Sequence, residues 1–155
     1  MTEAATTVLV VDDDAELRGV LRRVLKAEGF SVLEAADGAE ALRVVEGRLG
    51  RVDAVVADTV MPGVGGRELL WRLSEVYPGI PVLLTSGLVD DMDATWGMDA
   101  RPAAFLAKPF ALTELTVTLR GVLRARRRLP EGSPFFLELL PAAKPPFPRP
   151  KGKPN

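Results

Sequence analysis

The chain contains neither cysteine nor histidine. Without cysteine there are no disulfides, no thiolate metal sites and no cysteine nucleophile. Without histidine there are no imidazole zinc sites, no serine–histidine triads and no histidine general base. Any metal bound here must be held by oxygen ligands, which favours a hard cation of the magnesium or calcium kind. Long apolar runs are missing as well. No window approaches the length that spans a bilayer, and Met1–Thr7 lacks the basic flank and apolar stretch of a signal peptide. The sequence therefore predicts no membrane insertion and a cytoplasmic location.

An excess of one charge is also lacking, since the net charge is -1. The first 128 residues carry 16 basic and 19 acidic side chains, so no nucleic-acid footprint is visible and no specific nucleic-acid binding is expected. What the sequence does have is 47% hydrophobic residues in 155 positions, enough for one compact domain with a real core.

The apolar residues follow a repeated strand–helix rhythm. Val8–Val11 is a short apolar run that ends in three aspartates. From Ala15 to Ala27, Leu17, Val20, Leu21, Val24 and Leu25 recur at helical steps, and Gly29 can stop that helix in a left-handed conformation. Ser31–Ala35 is a weaker strand, and Asp37 is placed to cap a helix over Ala39–Glu46. Further strands are predicted at Asp53–Ala57, Ile80–Leu84 and Ala103–Leu106. Helices are predicted at Arg67–Val76, Asp90–Met98 and Leu112–Arg127. Short, continuously apolar strands alternating with amphipathic helices indicate a parallel sheet covered on both faces.

Residues 129–155 are of another kind, rich in proline and carrying four basic and two acidic side chains. Proline at that density supports neither helix nor central strand, so a domain over 1–128 and a partly or wholly disordered basic tail over 129–155 are expected. Within the tail, Phe135–Leu140 is apolar enough to dock on a surface.

In a covered parallel sheet, ligands bind beyond the carboxyl ends of the strands. Those ends deliver Asp12 and Asp13, then Asp58, then Thr85 and Ser86, and finally Lys108 with Pro109. Alone, each has a bland reading: a turn, a helix cap, a solvated lysine. Together they place carboxylates, a hydroxyl and an ammonium on one sheet edge. Crowded carboxylates repel one another, a divalent cation resolves the conflict, and an aspartate can attack phosphorus to give an acyl phosphate. Asp14 precedes the first helix and suits a capping role better than a metal role.

Several motifs in order resemble the response-regulator receiver domains of two-component signalling, the CheY-like superfamily, over roughly residues 7 to 127. They are Val8–Val11 with Asp12-Asp13-Asp14, Asp53–Asp58 followed by Met61-Pro62 and Gly66, Pro81 to Gly87, and Phe105 with Lys108-Pro109-Phe110. The resemblance implies a (βα)5 doubly wound parallel five-stranded sheet of the flavodoxin-like type, with strand order 2-1-3-4-5. It implies that Asp12 and Asp13 hold Mg²⁺ (or Mn²⁺), Asp13 the more directly, with Asp58 and the backbone carbonyl of Val60 completing the shell. Asp58 would be the phosphoacceptor, Lys108 the phosphoryl contact and Phe105 the aromatic switch, against its plain reading as core. The Lys108–Pro109 bond is often cis in such domains. Spacing from Pro81 and from Lys108 favours Ser86 as the switch hydroxyl, with Thr85 pointing to the other face as a packing residue.

The implied partners are a sensor histidine kinase or a histidine phosphotransfer protein, because this chain has no histidine to donate. A separate effector protein and a phosphorylation-dependent homodimer are also implied. The chain would signal through a changed face made by the helix over Asp90–Met98, the fifth strand and the last helix. Enzymatic activity would amount to weak autophosphorylation from small donors and self-dephosphorylation. No output domain is visible after the last helix, so the domain either stands alone or belongs to a larger protein such as a hybrid kinase.

Two features depart from the family pattern. Val60 and Leu88, two positions beyond Asp58 and Ser86, are apolar where relatives often carry polar residues that admit water, which predicts a slowly hydrolysing acyl phosphate. The helix over Asp90–Met98 is short and contains Gly97, and its Trp96 reads either as an exposed contact or as a lid on the core. The basic end of the last helix, Arg124 and Arg126–Arg128, complements the helix dipole. Two other classes stay in view: a receiver-like interaction module that is never phosphorylated, and a small phosphoaspartyl-forming hydrolase. The hydrolase would need an acid–base aspartate at the position of Val60.

Overall fold

The structure, a computed structural model, describes residues 5–87 and 103–128. Within them lie five strands: β1 (Thr7–Val11), β2 (Ser31–Ala35), β3 (Ala54–Asp58), β4 (Val82–Ser86) and β5 (Ala104–Ala107). Four helices accompany them: α1 (Ala15–Ala27), α2 (Gly38–Gly47), α3 (Gly66–Val76) and α4 (Leu112–Arg128). The expected helix over Asp90–Met98, with Trp96 and Leu88, and the tail 129–155 lie outside the described residues.

All strand pairs are parallel and the order is β2-β1-β3-β4-β5, the doubly wound flavodoxin-like arrangement. β1, β3 and β4 are apolar through their middles because each side of the sheet is covered there. On one side Leu9, Val11, Val55, Ala57, Val82 and Leu84 pack beneath Ala41 and Val45 of α2 and Leu69 and Leu73 of α3. On the other, Val8, Val10, Val56, Leu83 and Leu106 pack beneath Leu21 and Leu25 of α1 and Leu115 and Leu119 of α4. Alternation along each strand thus sends successive residues to opposite cores.

Local chemistry fixes the helix ends. Asp14 accepts from the backbone N–H groups of Glu16 and Leu17 at 3.0 and 3.2 Å, so it is the cap of α1. At the other end, Gly29 sits at φ 97, with its N–H on the Lys26 carbonyl and the Phe30 N–H on that of Leu25. Asp37 caps α2 through the Glu40 N–H at 2.8 Å, and Glu40 reaches back to the Ala36 N–H at 2.6 Å.

The largest shift from the sequence expectation is in β4, which begins two residues later than Ile80 and runs on to Ser86. Ile80 is held in a turn by its N–H on the Tyr77 carbonyl, and Pro81 has no N–H to offer the ladder. At the other end the ladder continues, since the Thr85 carbonyl accepts from Thr59 N–H and that of Ser86 from Lys108 N–H. Asp58 likewise remains within β3 and pairs with Thr85. The strand ends that matter chemically are therefore held by sheet hydrogen bonds rather than by loops.

Gly66 opens α3 directly against β3. A Cβ at Gly66 would press on the Asp58 carbonyl oxygen and would also meet the Thr59 Cα at 3.0 Å. Gly66→Ala should therefore lower the free energy of unfolding by about 1–3 kcal/mol, the usual cost of overpacking. Gly47→Ala, where a Cβ meets nothing within 4 Å, should be neutral or slightly stabilising. Urea titrations of the two variants check this, and an unperturbed Gly66→Ala would refute the close docking of α3 on β3.

Candidate functional site

The carboxyl ends of β1, β3 and β5 converge on one cluster. Asp12 is 2% exposed, Asp58 is half-buried and Asp13 is exposed, and each contributes a carboxylate oxygen to a group lying within 4.8 Å of one another. The Lys108 ammonium, just beyond β5, reaches into the same place. Its Nζ lies 3.1 Å from Asp58 Oδ2 and 3.3 Å from Asp12 Oδ2. The Lys108–Pro109 peptide bond is cis.

The remaining carboxylate oxygens are used as well. Asp12 Oδ1 accepts the Asp14 N–H at 2.9 Å, which curls the chain into α1. Asp58 Oδ1 accepts the Val60 N–H at 3.2 Å, which turns the chain after β3. Burial pushes the Asp12 carboxyl above its ordinary range, opposed by the Asp14 N–H and the Lys108 ammonium and reinforced by the Asp58 charge. Burial also works to lower Lys108, but the hydrogen bond to Asp58 and the charges of Asp12 and Asp58 outweigh it and hold the ammonium above its usual value.

One ammonium between three carboxylates leaves the cluster anionic. All its ligand atoms are oxygen, the type hard divalent cations prefer, and the most buried carboxylate is the one whose ionisation burial opposes. A cation beside Asp12 would reverse that opposition. The residues present fit a divalent metal.

The other expected residues fall near this cluster in distinct ways. Ser86 and Thr85 are both buried and occupy opposite rows of β4. Thr85 continues the row of Leu83, whereas Ser86 continues that of Leu84. Phe105 is half-buried, pairs with Leu84 and packs on the core beneath α2 and α3. Ser86 and Phe105 thus share a face of the sheet. Val60 sits at the rim, 57% exposed, with its apolar side chain outward.

Sequence reasoning missed Arg18. One turn into α1, its Nη1 donates to the Asp12 carbonyl oxygen at 2.6 Å while its Nε meets Glu34 Oε1 at 3.2 Å. Arg18 thereby ties the acidic loop to α1 and β2. Its spacing from Asp14, one helical turn on, was the available signal. Arg126, read from sequence as a dipole complement, has a specific partner: its Nη1 donates to the Asp53 carbonyl at 2.6 Å at the start of β3.

Comparison with known proteins agrees with this geometry. The family model described as the response regulator receiver domain matches residues 8–120. The sensor kinase CckA of Brucella abortus (strain 2308) is 40% identical over 124 residues, which cover 79% of this chain and 13% of that protein. The response regulator MprA of Mycobacterium sp. (strain KMS) is 39% identical over 127 residues, 82% of this chain and 54% of that one. The chain therefore spans about half the length of MprA and a small part of CckA. Among solved structures, chemotaxis response regulator CheY4 of Vibrio cholerae superposes with a TM-score of 0.68 at 29% identity, over 77% of this chain and 99% of that one. The receiver domain of hybrid histidine kinase CckA gives 0.63 at 34%, over 76% and 98%.

The site separates the roles of adjacent aspartates. Asp14→Ala should cost about 1 kcal/mol of stability, the usual value of a lost cap, while leaving divalent-cation affinity unchanged. Asp13→Ala should do the reverse, abolishing the rise in melting temperature that a bound cation confers on the native state. Thermal melts of both variants across a magnesium titration test the assignment. Cation-induced stabilisation surviving in Asp13→Ala would defeat it.

Proposed function

The chain belongs to the response regulator receiver domain family, and from that premise we propose that Asp58 is its phosphoacceptor within a two-component phosphorelay. The observation that carries this reading is the Lys108 ammonium, within hydrogen-bond reach of both Asp12 and Asp58 at the carboxyl edge of the parallel sheet. The phosphoryl donor is a phosphohistidine on a sensor histidine kinase or a histidine phosphotransfer protein, in the cytoplasm. An Asp58 carboxylate oxygen attacks phosphorus and forms the P–O bond of an acyl phosphate. The P–N bond breaks and its electron pair returns to the donor imidazole.

Asp12, Asp13, Asp58 and the Val60 carbonyl would hold Mg²⁺, with Mn²⁺ as a substitute. When bound, the ion neutralises charge on the phosphoryl oxygens. Lys108 is positioned to do the same from the β5 side, exchanging a carboxylate oxygen for a phosphoryl oxygen as partner. Ser86, on the sheet face it shares with Phe105, is the hydroxyl that engages the phosphoryl group. Phe105 then repacks, and the surface around β5 and α4 changes for a separate effector or a second copy.

Intact Asp12, Asp13, Asp58, Ser86 and Lys108 weigh against a module that is never phosphorylated. A phosphoaspartyl hydrolase is disfavoured because Val60 presents no acid–base group.

Treatment with acetyl phosphate and Mg²⁺ should add a single phosphoryl group by intact mass, and Asp58→Ala should take up none. An adduct persisting in Asp58→Ala, or an absence of spectral change with beryllofluoride and Mg²⁺, would overturn the reading. The apolar side chain of Val60 at the rim further predicts slow loss of the acyl phosphate, over many minutes. Val60→Glu or Val60→Asn should change that lifetime without preventing phosphorylation, and decay of the wild type within seconds would contradict the prediction.

A further inference from the structure

Away from the acidic cluster, α2 and α3 leave an open groove of about 290 Å³ between them. Leu42, Trp71, Val76 and Tyr77 line it together with two acids, Glu46 and Glu75, and one base, Arg72. Trp71 is 38% exposed and Val76 64%, so the groove presents apolar surface on the side of the sheet opposite α1 and α4. Contiguous apolar surface of this kind usually marks a contact. Nothing in the phosphoryl chemistry uses it.

We propose that the groove between α2 and α3 is the docking site of this chain's own segment Phe135–Leu140.

Three observations favour this occupant. The first is where α4 ends. The guanidinium of Arg126 donates to the Asp53 carbonyl, which fixes the end of α4 under the start of β3. From Asp53 back to Gly50 is at most about 11 Å of chain. The Tyr77 ring stands so close to Gly50 that a Cβ there would meet its Cδ1 at 2.5 Å. Tyr77 is a wall of the groove, so the end of α4 and the groove lie at neighbouring points of the same end of the sheet.

The second is reach. From Arg128 to Phe135 an extended chain covers up to about 25 Å, enough to pass from Arg126 by way of Asp53 and Gly50 to Tyr77. Pro130 and Pro134 in that stretch favour an extended path. The third is composition. Phe135-Phe136-Leu137-Glu138-Leu139-Leu140 carries five large apolar side chains and one acid, and Lys144 and Arg149 follow it. An apolar block suits the Leu42–Trp71–Val76 lining, and because Arg72 is already paired with Glu68, the acids Glu46 and Glu75 suit basic residues downstream. Because the segment is tethered, its effective concentration at the groove is high and modest intrinsic affinity suffices.

The absence of native cysteine makes a direct test available. A nitroxide attached to Ala143→Cys in the full chain should cause loss of amide signal from Leu42, Glu46, Trp71, Glu75 and Tyr77, independent of protein concentration. Phe135→Ser/Phe136→Ser in the labelled chain should restore those signals. Neither variant replaces a residue of the two cores described above, so docking is separated from misfolding. Loss of signal on the α1–α4 side instead, or nowhere, would overturn the proposal. Loss seen in an isotope-labelled chain only when mixed with a separate spin-labelled chain would mean that a second copy fills the groove, and would overturn it too.

Discussion

Two carboxylates on different strands, Asp12 at the end of β1 and Asp58 at the end of β3, come within reach of a single ammonium supplied by the far edge of the sheet. Lys108 can do this only because β5 is held in register beside β4, through Ser86 on Ala107 and the Lys108 N–H on the Ser86 carbonyl at 2.7 Å. The same electrostatics set the fold and the chemistry. Without the ammonium, burial and the neighbouring Asp58 charge would oppose ionisation of Asp12 unrelieved on that side. With it, the cluster is compact but still anionic, and among the described residues Lys108 is the one ammonium that reaches it.

Much of this was legible in the sequence, and the reasons are physical. Strands buried on both faces cannot alternate in polarity, so Val8–Val11 and Ala54–Ala57 announced a covered parallel sheet without any knowledge of neighbours. Parallel connection then forced the carboxyl ends of the strands to one edge. Asp12, Asp58 and Lys108 could therefore be grouped although 46 and 50 residues separate them along the chain. Asp14 could be told from its neighbours because a helix cap is a local property.

What was not legible depended on contacts between distant backbones. The Thr85–Thr59 hydrogen bond that extends β4 cannot be read from β4 alone. Nor can the close approach of α3 to the Asp58 carbonyl, although it explains why Gly66 carries no side chain. Arg18 illustrates the same limit. Its helical position was evident, but its hold on the Asp12 carbonyl required knowing that β2 brings Glu34 alongside to steer the guanidinium. Arg126 was assigned a diffuse role along the helix axis, whereas its actual partner is the Asp53 carbonyl just before β3.

The choice between Thr85 and Ser86 shows how strand register sorts adjacent residues. Adjacent residues on one strand cannot face the same core, and the two cores here have different owners. The row of Leu83 and Thr85 packs towards α1 and α4, whereas the row of Leu84 and Ser86 packs towards α2 and α3. Phe105, paired with Leu84, lies in that second row and diagonal to Ser86. Asp58 pairs with Thr85 and so continues the first row, whereas Ser86 stands in the second row beside Phe105. Strand register thus separates the two hydroxyls: Thr85 lies level with Asp58, and Ser86 belongs to the row whose edge residue is the half-buried Phe105.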